Sequence, residues 1–382
     1  ANPHKRANGA TTCGALKGNC SVPNKLRIGM IGCGEIAVQT AKGIATAANT
    51  QHIMVMDIDA RVANDLGQTY GVPSTTSVDD LLENPQVEAV YIAVPHFLHA
   101  PLTIQALRAG KHVLVEKPIA TTLAEADAMI SATKDTGRTL SVAYSAQVDA
   151  TCQAIKHLIA DGAIGKVTGT RIVARTDKPE TYWHGGYSGR IQTDWRVSKA
   201  KAGGGILIMN TVHDLNTIRF VTGLEVARVY AEYDTFTTPV EVEDFISLTY
   251  RYANGAIGSL EAGSAVRGRD PFKEANHIYG ERGQIVFGRP TQVFVTEPAA
   301  GLPAREWQPV PVPSSGPAGD RAAIVGGFAD AVLQGRQPPV KAEDGRAALE
   351  IIVAAYQSGQ EHRVVNLTPG PSPTKGGEPH RG

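Results

Sequence analysis

Three stretches of this chain hold residues whose types and spacing can do chemistry. The first is Glu116-Lys117-Pro118, which ends an apolar run. A lysine there can donate to a substrate oxygen or carry its proton; a plain surface lysine at a strand end is the alternative reading. The second, Pro95-His96-Phe97-Leu98-His99, also follows an apolar run. It is expected to face the same crevice, although His96 and His99 each have the simpler reading of loop or helix-cap histidines. The third runs from Gly203-Gly204-Gly205 to His213. A triple glycine opening a helix lets backbone come close to something. Regular helical spacing puts His213 on one face with Met209 and Asn210, four and three positions before it. A packed structural histidine is the alternative. Just upstream, TYWHGGYSGRIQTDWR carries Trp183, Tyr187, Arg190, Trp195 and Arg196. Such aromatics with arginines suit a sugar or polyol, stacking on one face and bonding its hydroxyls. The same stretch also reads as a surface loop.

A fourth stretch supplies a cofactor. Gly32-Cys33-Gly34-Glu35-Ile36-Ala37 fits G-x-G-x-x-A after an apolar run and before a helical pattern. The first glycine makes the tight turn and the second admits a pyrophosphate. The small third residue lets helix and strand pack closely. Asp57 ends the next strand, twenty residues past Ala37, where an acid accepts from ribose hydroxyls. Its charge repels a 2′-phosphate and favours NAD over NADP. Arg61, one turn on, is the residue that could reverse this preference, unless it is only a solvated helix cation.

These residues need elements to hold them. From Leu26 the pattern alternates apolar strands with amphipathic helices up to TLSVAYS. Strands lacking polar alternation mean a parallel sheet covered on both faces. Beyond it, KVTGTRIVART, VARVYAEYDTFTT, DFISLTYRY, AIGSLEAGSA and GQIVFG alternate with period two. This predicts a largely antiparallel sheet with one wetted face. RAAIVGGFADAVLQG and DGRAALEIIVAAYQSGQ read as helices closing that second unit. The expected organisation is a tail over 1–24, a dinucleotide-binding α/β domain over 25–146, an α+β domain over 147–366 and a tail over 367–382. Both tails are rich in small residues and glycine or proline, too poor in apolar surface to offset ordering entropy.

Composition removes other classes. Lys+Arg and Asp+Glu are equal at 37 each, so there is no cationic excess for nucleic acid. No apolar run reaches membrane-spanning length. Cys13, Cys20, Cys33 and Cys152 form no CxxC pair or Cys/His ladder, so no metal site is expected, and Cys13 and Cys20 are read as free thiols, with a pairing under oxidation as the alternative. The N-terminal stretch lacks an apolar signal region, and the expected location is the cytoplasm.

The motifs GCGEIA, VYIAVPHFLH, AGKHVLVEKPIA and GGGILIMNTVHDLN, in this order, resemble the glucose-fructose oxidoreductase / inositol dehydrogenase / rhizopine-catabolism (Gfo/Idh/MocA) family, from about residue 26 to 366. The resemblance implies a Rossmann domain followed by an open mixed sheet whose exposed face mediates a homodimer or homotetramer. It implies Lys117 and His213 as catalytic residues and sugars, sugar derivatives or cyclitols as substrates. The cofactor-facing set is then Gly32, Cys33, Gly34, Glu35, Ile36, Asp57, Pro95, His96, His99 and Glu116. The substrate-facing set is Tyr144, Trp183, Tyr187, Arg190, Trp195 and Asn210. The chain departs from the family at His96 (usually asparagine), Gln147 (often arginine) and Met209 (often aspartate). Asn210 is expected to orient His213 in place of that carboxylate. The expected activity is NAD-dependent oxidation of a secondary alcohol. NAD-using glycoside hydrolysis and a non-catalytic dinucleotide-binding regulator are the rival readings.

Overall fold

The structure is a computed structural model that describes residues 25–268, 274–313 and 319–367. The expected tails, with Cys13 and Cys20, lie outside the described residues apart from Leu367, whose N–H donates to the Ala227 carbonyl.

Six strands form the first sheet: β1 (Leu26–Ile31), β2 (Thr50–Met56), β3 (Ser74–Thr75), β4 (Ala89–Ile92), β5 (His112–Val115) and β6 (Leu140–Val142). Their order is β3-β2-β1-β4-β5-β6 and every pairing is parallel. Val90, Ile92, Val113 and Val115 are fully buried, as strands covered on both faces require. The connecting helices are α1 (Glu35–Thr46), α2 (Ala60–Tyr70), α3 (Val78–Glu83), α4 (His99–Arg108) and α5 (Leu123–Thr136). Local chemistry sets their starts: Asp59 caps α2, Ser77 caps α3, and Thr122 with Glu125 forms a capping box on α5. The order of strands reverses between β1 and β4, so a crevice opens outside their carboxyl ends.

After α6 (Ala150–Ala160) come β7 (Val167–Arg175), the short helices α7 (Thr181–Gly185) and α8 (Lys199–Ala202), a π turn over Leu207–Thr211 and α9 (Val212–Thr222). Seven strands follow: β8 (Val226–Asp234), β9 (Phe245–Tyr252), β10 (Ile257–Gly263), β11 (His277–Gly280), β12 (Gly283–Val286), β13 (Gln292–Val295) and β14 (Trp307–Pro309). With α10 (Arg321–Leu333), α11 (Ala342–Glu361) and β15 (Val365–Asn366), they complete the elements of the described residues. The second sheet runs β14-β13-β12-β11-β7-β10-β9-β8-β15, antiparallel except for β7 with β10. Burial alternates along β8 and β9, which leaves one wetted face as the period-two pattern predicts.

One helix sits elsewhere than expected. The sequence pattern puts α10 with the second unit, yet Ile324, Val325, Phe328 and Ala329 join the core of β1, α1 and α2. Gly43 of α1 lets the two helices approach, since a Cβ there would lie 2.8 Å from the Arg321 backbone. Amphipathicity marks that a helix has a buried face but not which sheet will cover it.

Candidate active site

The dinucleotide turn forms as its residues dictate. Gly32 has φ +96°, and a Cβ there would lie 2.2 Å from the Ala93 carbonyl oxygen, so only glycine fits. Around Gly34 the situation is opposite. A Cβ would meet only the Ile191 side chain at 3.7 Å, so the turn keeps an open cradle. No side chain caps α1, and its first N–H groups remain available to an anion. This fits a dinucleotide pyrophosphate. Asp57 is buried at the end of β2 and accepts from the Cys33 N–H at 2.7 Å and the Asp59 N–H at 2.9 Å. A carboxylate has about four acceptor positions, so two remain for ribose hydroxyls. Arg61 is committed to Asp59 and to the Arg190 carbonyl. Cys33 is fully buried, and burial followed by the Asp57 charge pushes its thiol up to about 12, so it is inert.

Lys117 follows β5 and reaches across to the second unit, where its Nζ donates to the Met209 carbonyl at 2.8 Å. Burial pushes its ammonium below the usual lysine range, with the Glu116 charge opposing. Glu116 itself faces inward, contrary to the cofactor role expected for it. It accepts from the Tyr91 hydroxyl at 2.6 Å and pairs with Arg321 of α10. Burial would raise its carboxyl, but Arg321 and then Lys117 hold it below the usual range. Losing Arg321 would strand a buried carboxylate at a cost of about 3–5 kcal/mol.

His213 stands beside Tyr144, the rings meeting edge to face at 5.8 Å. Burial and then the Lys117 charge push its imidazole down to about 3, so it is neutral at neutral pH. The expected Asn210–His213 pair does not form. The N–H of Val212 returns to the Leu207 carbonyl, five residues back, so the π turn inserts one residue into the helical phase. Asn210 Oδ1 is left buried and without a hydrogen-bond partner, as is the Tyr144 hydroxyl. Asp214 turns to the second sheet and accepts from Asn276 at 2.7 Å.

The triple glycine approaches protein rather than ligand. A Cβ on Gly205 would lie 1.9 Å from the Glu243 carbonyl oxygen. The Glu243 carboxylate accepts from the N–H groups of Gly205 at 2.6 Å and Leu207 at 3.0 Å, and from the Tyr356 hydroxyl at 2.8 Å. This buried carboxylate anchors the turn that presents the Met209 carbonyl to Lys117.

Other expected site residues divide. His96 is buried against Trp195, ring centroids 4.5 Å apart, and its Nδ1 meets the Ala202 carbonyl at 2.8 Å. Pro95 precedes it, half-buried at the crevice edge. His99 is withdrawn from any cofactor, with Nδ1 2.7 Å from the Pro118 carbonyl and Nε2 3.0 Å from that of Val94. It pins the loop after β5. Trp183 is 2% exposed and packs edge to face on Tyr182, so it offers no face to a sugar. Arg190, expected on the substrate, lies on the dinucleotide turn instead, while Tyr187 touches that turn with its backbone and Lys178 with its hydroxyl at 3.0 Å. The Tyr187 N–H donates to Glu35 at 2.9 Å. Arg190 donates to the Cys33 carbonyl at 2.8 Å and pairs with Asp65 at 2.7 Å. The loop between α7 and α8 therefore straps the second unit across the glycine turn.

Lys178 was missed by the sequence reading. It follows β7 in no recognisable spacing, yet it is 4% exposed in the crevice. Arg196, beside the Tyr182 and Trp195 rings, is its cationic neighbour. Among the described residues no His, Cys, Asp and Glu cluster could hold a metal ion, and no helix is long and apolar enough to cross a membrane.

This is a Rossmann oxidoreductase site joined to an open-sheet domain. Residues 26–144 match the family model described as "Oxidoreductase family, NAD-binding Rossmann fold", and residues 152–286 match that of the "GFO/IDH/MocA C-terminal domain". The chain belongs to the Gfo/Idh/MocA family of NAD(P)-dependent oxidoreductases, and its cofactor is NAD. It is 29% identical to the 1,5-anhydro-D-fructose reductase of Ensifer adhaerens over 88% of this chain and 98% of the relative. It is 26% identical to the myo-inositol 2-dehydrogenase of Thermotoga maritima over 90% and 98%. A solved levoglucosan dehydrogenase in complex with NADH and levoglucosan superposes with a TM-score of 0.78 at 26% identity, covering 90% of this chain and 100% of that one.

Proposed function

We propose that the protein oxidises a secondary alcohol of a sugar, sugar derivative or cyclitol, with Lys117 and His213 handling the hydroxyl proton. The observation that carries this reading is the cluster at the crevice. A half-buried Lys117 and a neutral His213 lie there with Tyr144, and two polar atoms of these segments, Tyr144 OH and Asn210 Oδ1, find no partner in the protein. Buried polar groups are normally satisfied, so such orphans fit a hydroxylated ligand. Relatives named for an anhydrosugar and a cyclitol support the same substrate class.

NAD, when bound, supplies the acceptor for the hydride. The chain's residues do the rest. The Met209 carbonyl fixes the Lys117 Nζ, leaving its other positions toward the crevice. With its affinity for protons lowered by burial, Lys117 in its neutral form takes the hydroxyl proton. His213, uncharged, hydrogen-bonds the same hydroxyl and orients it. With its imidazole pushed down to about 3, chiefly by burial, His213 is a poor proton acceptor, so we give the proton to the lysine. Asp57 holds the adenosine ribose and sets the preference for NAD over NADP. The test is NADH formation, followed by absorbance, with a panel of sugars and inositols. Turnover of at least one such carbinol is expected; none across the panel would overturn the reading.

A further inference from the structure

Lys178 is a buried cation that the chemistry above does not use. Its Nζ lies 3.8 Å from the centre of the Tyr182 ring and donates to the Tyr187 hydroxyl at 3.0 Å. Among the described residues no carboxylate forms an ion pair with it. A buried ammonium without an anion is costly, and ring faces and a phenol compensate it only in part. Burial, followed by the charges of Lys117 and Arg196, brings it down to about 7, so it is poised to gain a full charge when an anion arrives.

We propose that Lys178, presented by Tyr182 and Tyr187, selects an acidic substrate by receiving the carboxylate or phosphate of a charged sugar. This rests on the sugar-oxidising reading above. The cofactor pyrophosphate is a less fitting partner for two reasons. It has its own donors at the uncapped start of α1. Lys178 itself is held by side chains of the second unit, Tyr182 and Tyr187.

The test compares D-glucose, D-glucuronate and D-glucose 6-phosphate as reductants of NAD, with wild type, Lys178→Met and Tyr187→Phe. Wild type is expected to favour one of the two acidic sugars over glucose by about tenfold or more in kcat/KM, the effect of one charge-assisted hydrogen bond. Which acid is favoured tells carboxylate from phosphate. Lys178→Met is expected to bring that ratio near unity, and Tyr187→Phe, at an exposed position, to lower it partway. Equal use of neutral and acidic sugars by wild type, or an unchanged ratio in Lys178→Met, overturns the proposal. So does a Lys178→Met effect confined to NAD affinity. If none of the three is oxidised, the sugar and inositol panel decides the dehydrogenase reading, and tryptophan fluorescence of the NADH-loaded protein decides about Lys178. Tighter binding of an acidic sugar than glucose, lost in Lys178→Met, supports it, and equal binding contradicts it.

Discussion

Asp57 ties the glycine turn through the Cys33 N–H and, in our proposal, keeps its remaining acceptor positions for a ribose. Asp57→Ala is expected to weaken NAD binding and narrow its advantage over NADP, read by fluorescence titration of the reduced cofactors. Tighter binding of NADPH than NADH by wild type would refute the assignment. His213 carries a stability signature. Its imidazole is held near 3 when folded, against an ordinary value of about 6.5, so between those limits the unfolded chain binds more protons. Stability therefore rises with pH across that window and is lost as pH falls through it. His96, His99 and His52 act in the same direction. The melting temperature is expected to drop below about pH 6.5, less steeply in His213→Gln than in wild type. Residue identity brought forward Lys117, His213 and Asp57 as candidates and made the glycine turn legible. It did not reveal that Trp183 turns into the core or that Lys178 enters the crevice, because such directions are set by contacts distant in sequence.

At the scale of elements, spacing predicts well where the helical phase is regular and fails where it is not. The strands and helices around the parallel sheet follow from apolar runs, caps and turns. The Asn210–His213 pairing failed because the π turn over Leu207–Thr211 adds a residue between positions assumed to share a face. No residue type announces that turn. It depends on Glu243, in the loop before β9, which accepts from the Gly205 and Leu207 N–H groups and is held in turn by Tyr356 of α11. The two glycines of the dinucleotide turn should separate fold from ligand binding. Gly32→Ala forces a Cβ onto the Ala93 carbonyl and is expected to lower the melting temperature sharply. Gly34→Val fills open space and is expected to leave melting nearly unchanged while weakening NADH binding. Equal effects of both on melting would contradict the cradle assigned to Gly34.

At the scale of the molecule, the site exists only because the two sheets meet. Lys117 reaches Met209, His96 reaches Ala202, and Arg321 of α10 grips Glu116 from the far end of the chain. The alternating strands made the second sheet legible, whereas the return of α10 to the first sheet was not. The wetted face of that second sheet, with Tyr230 and Ile257 exposed, is our proposed surface for a homodimer or homotetramer. Light scattering is expected to give the mass of two or four chains, and a monomer at micromolar concentration would contradict that proposal. The account as a whole turns on Lys117, and Lys117→Met tests it most directly, since it keeps the stem while removing the charge and donors. With the best sugar or cyclitol of the panel, NADH formation is expected to fall about a hundredfold or more, in line with general acid–base contributions. NADH binding and melting temperature should stay near wild type. A variant that keeps most of its turnover, or loses it only by losing the cofactor, would contradict the account.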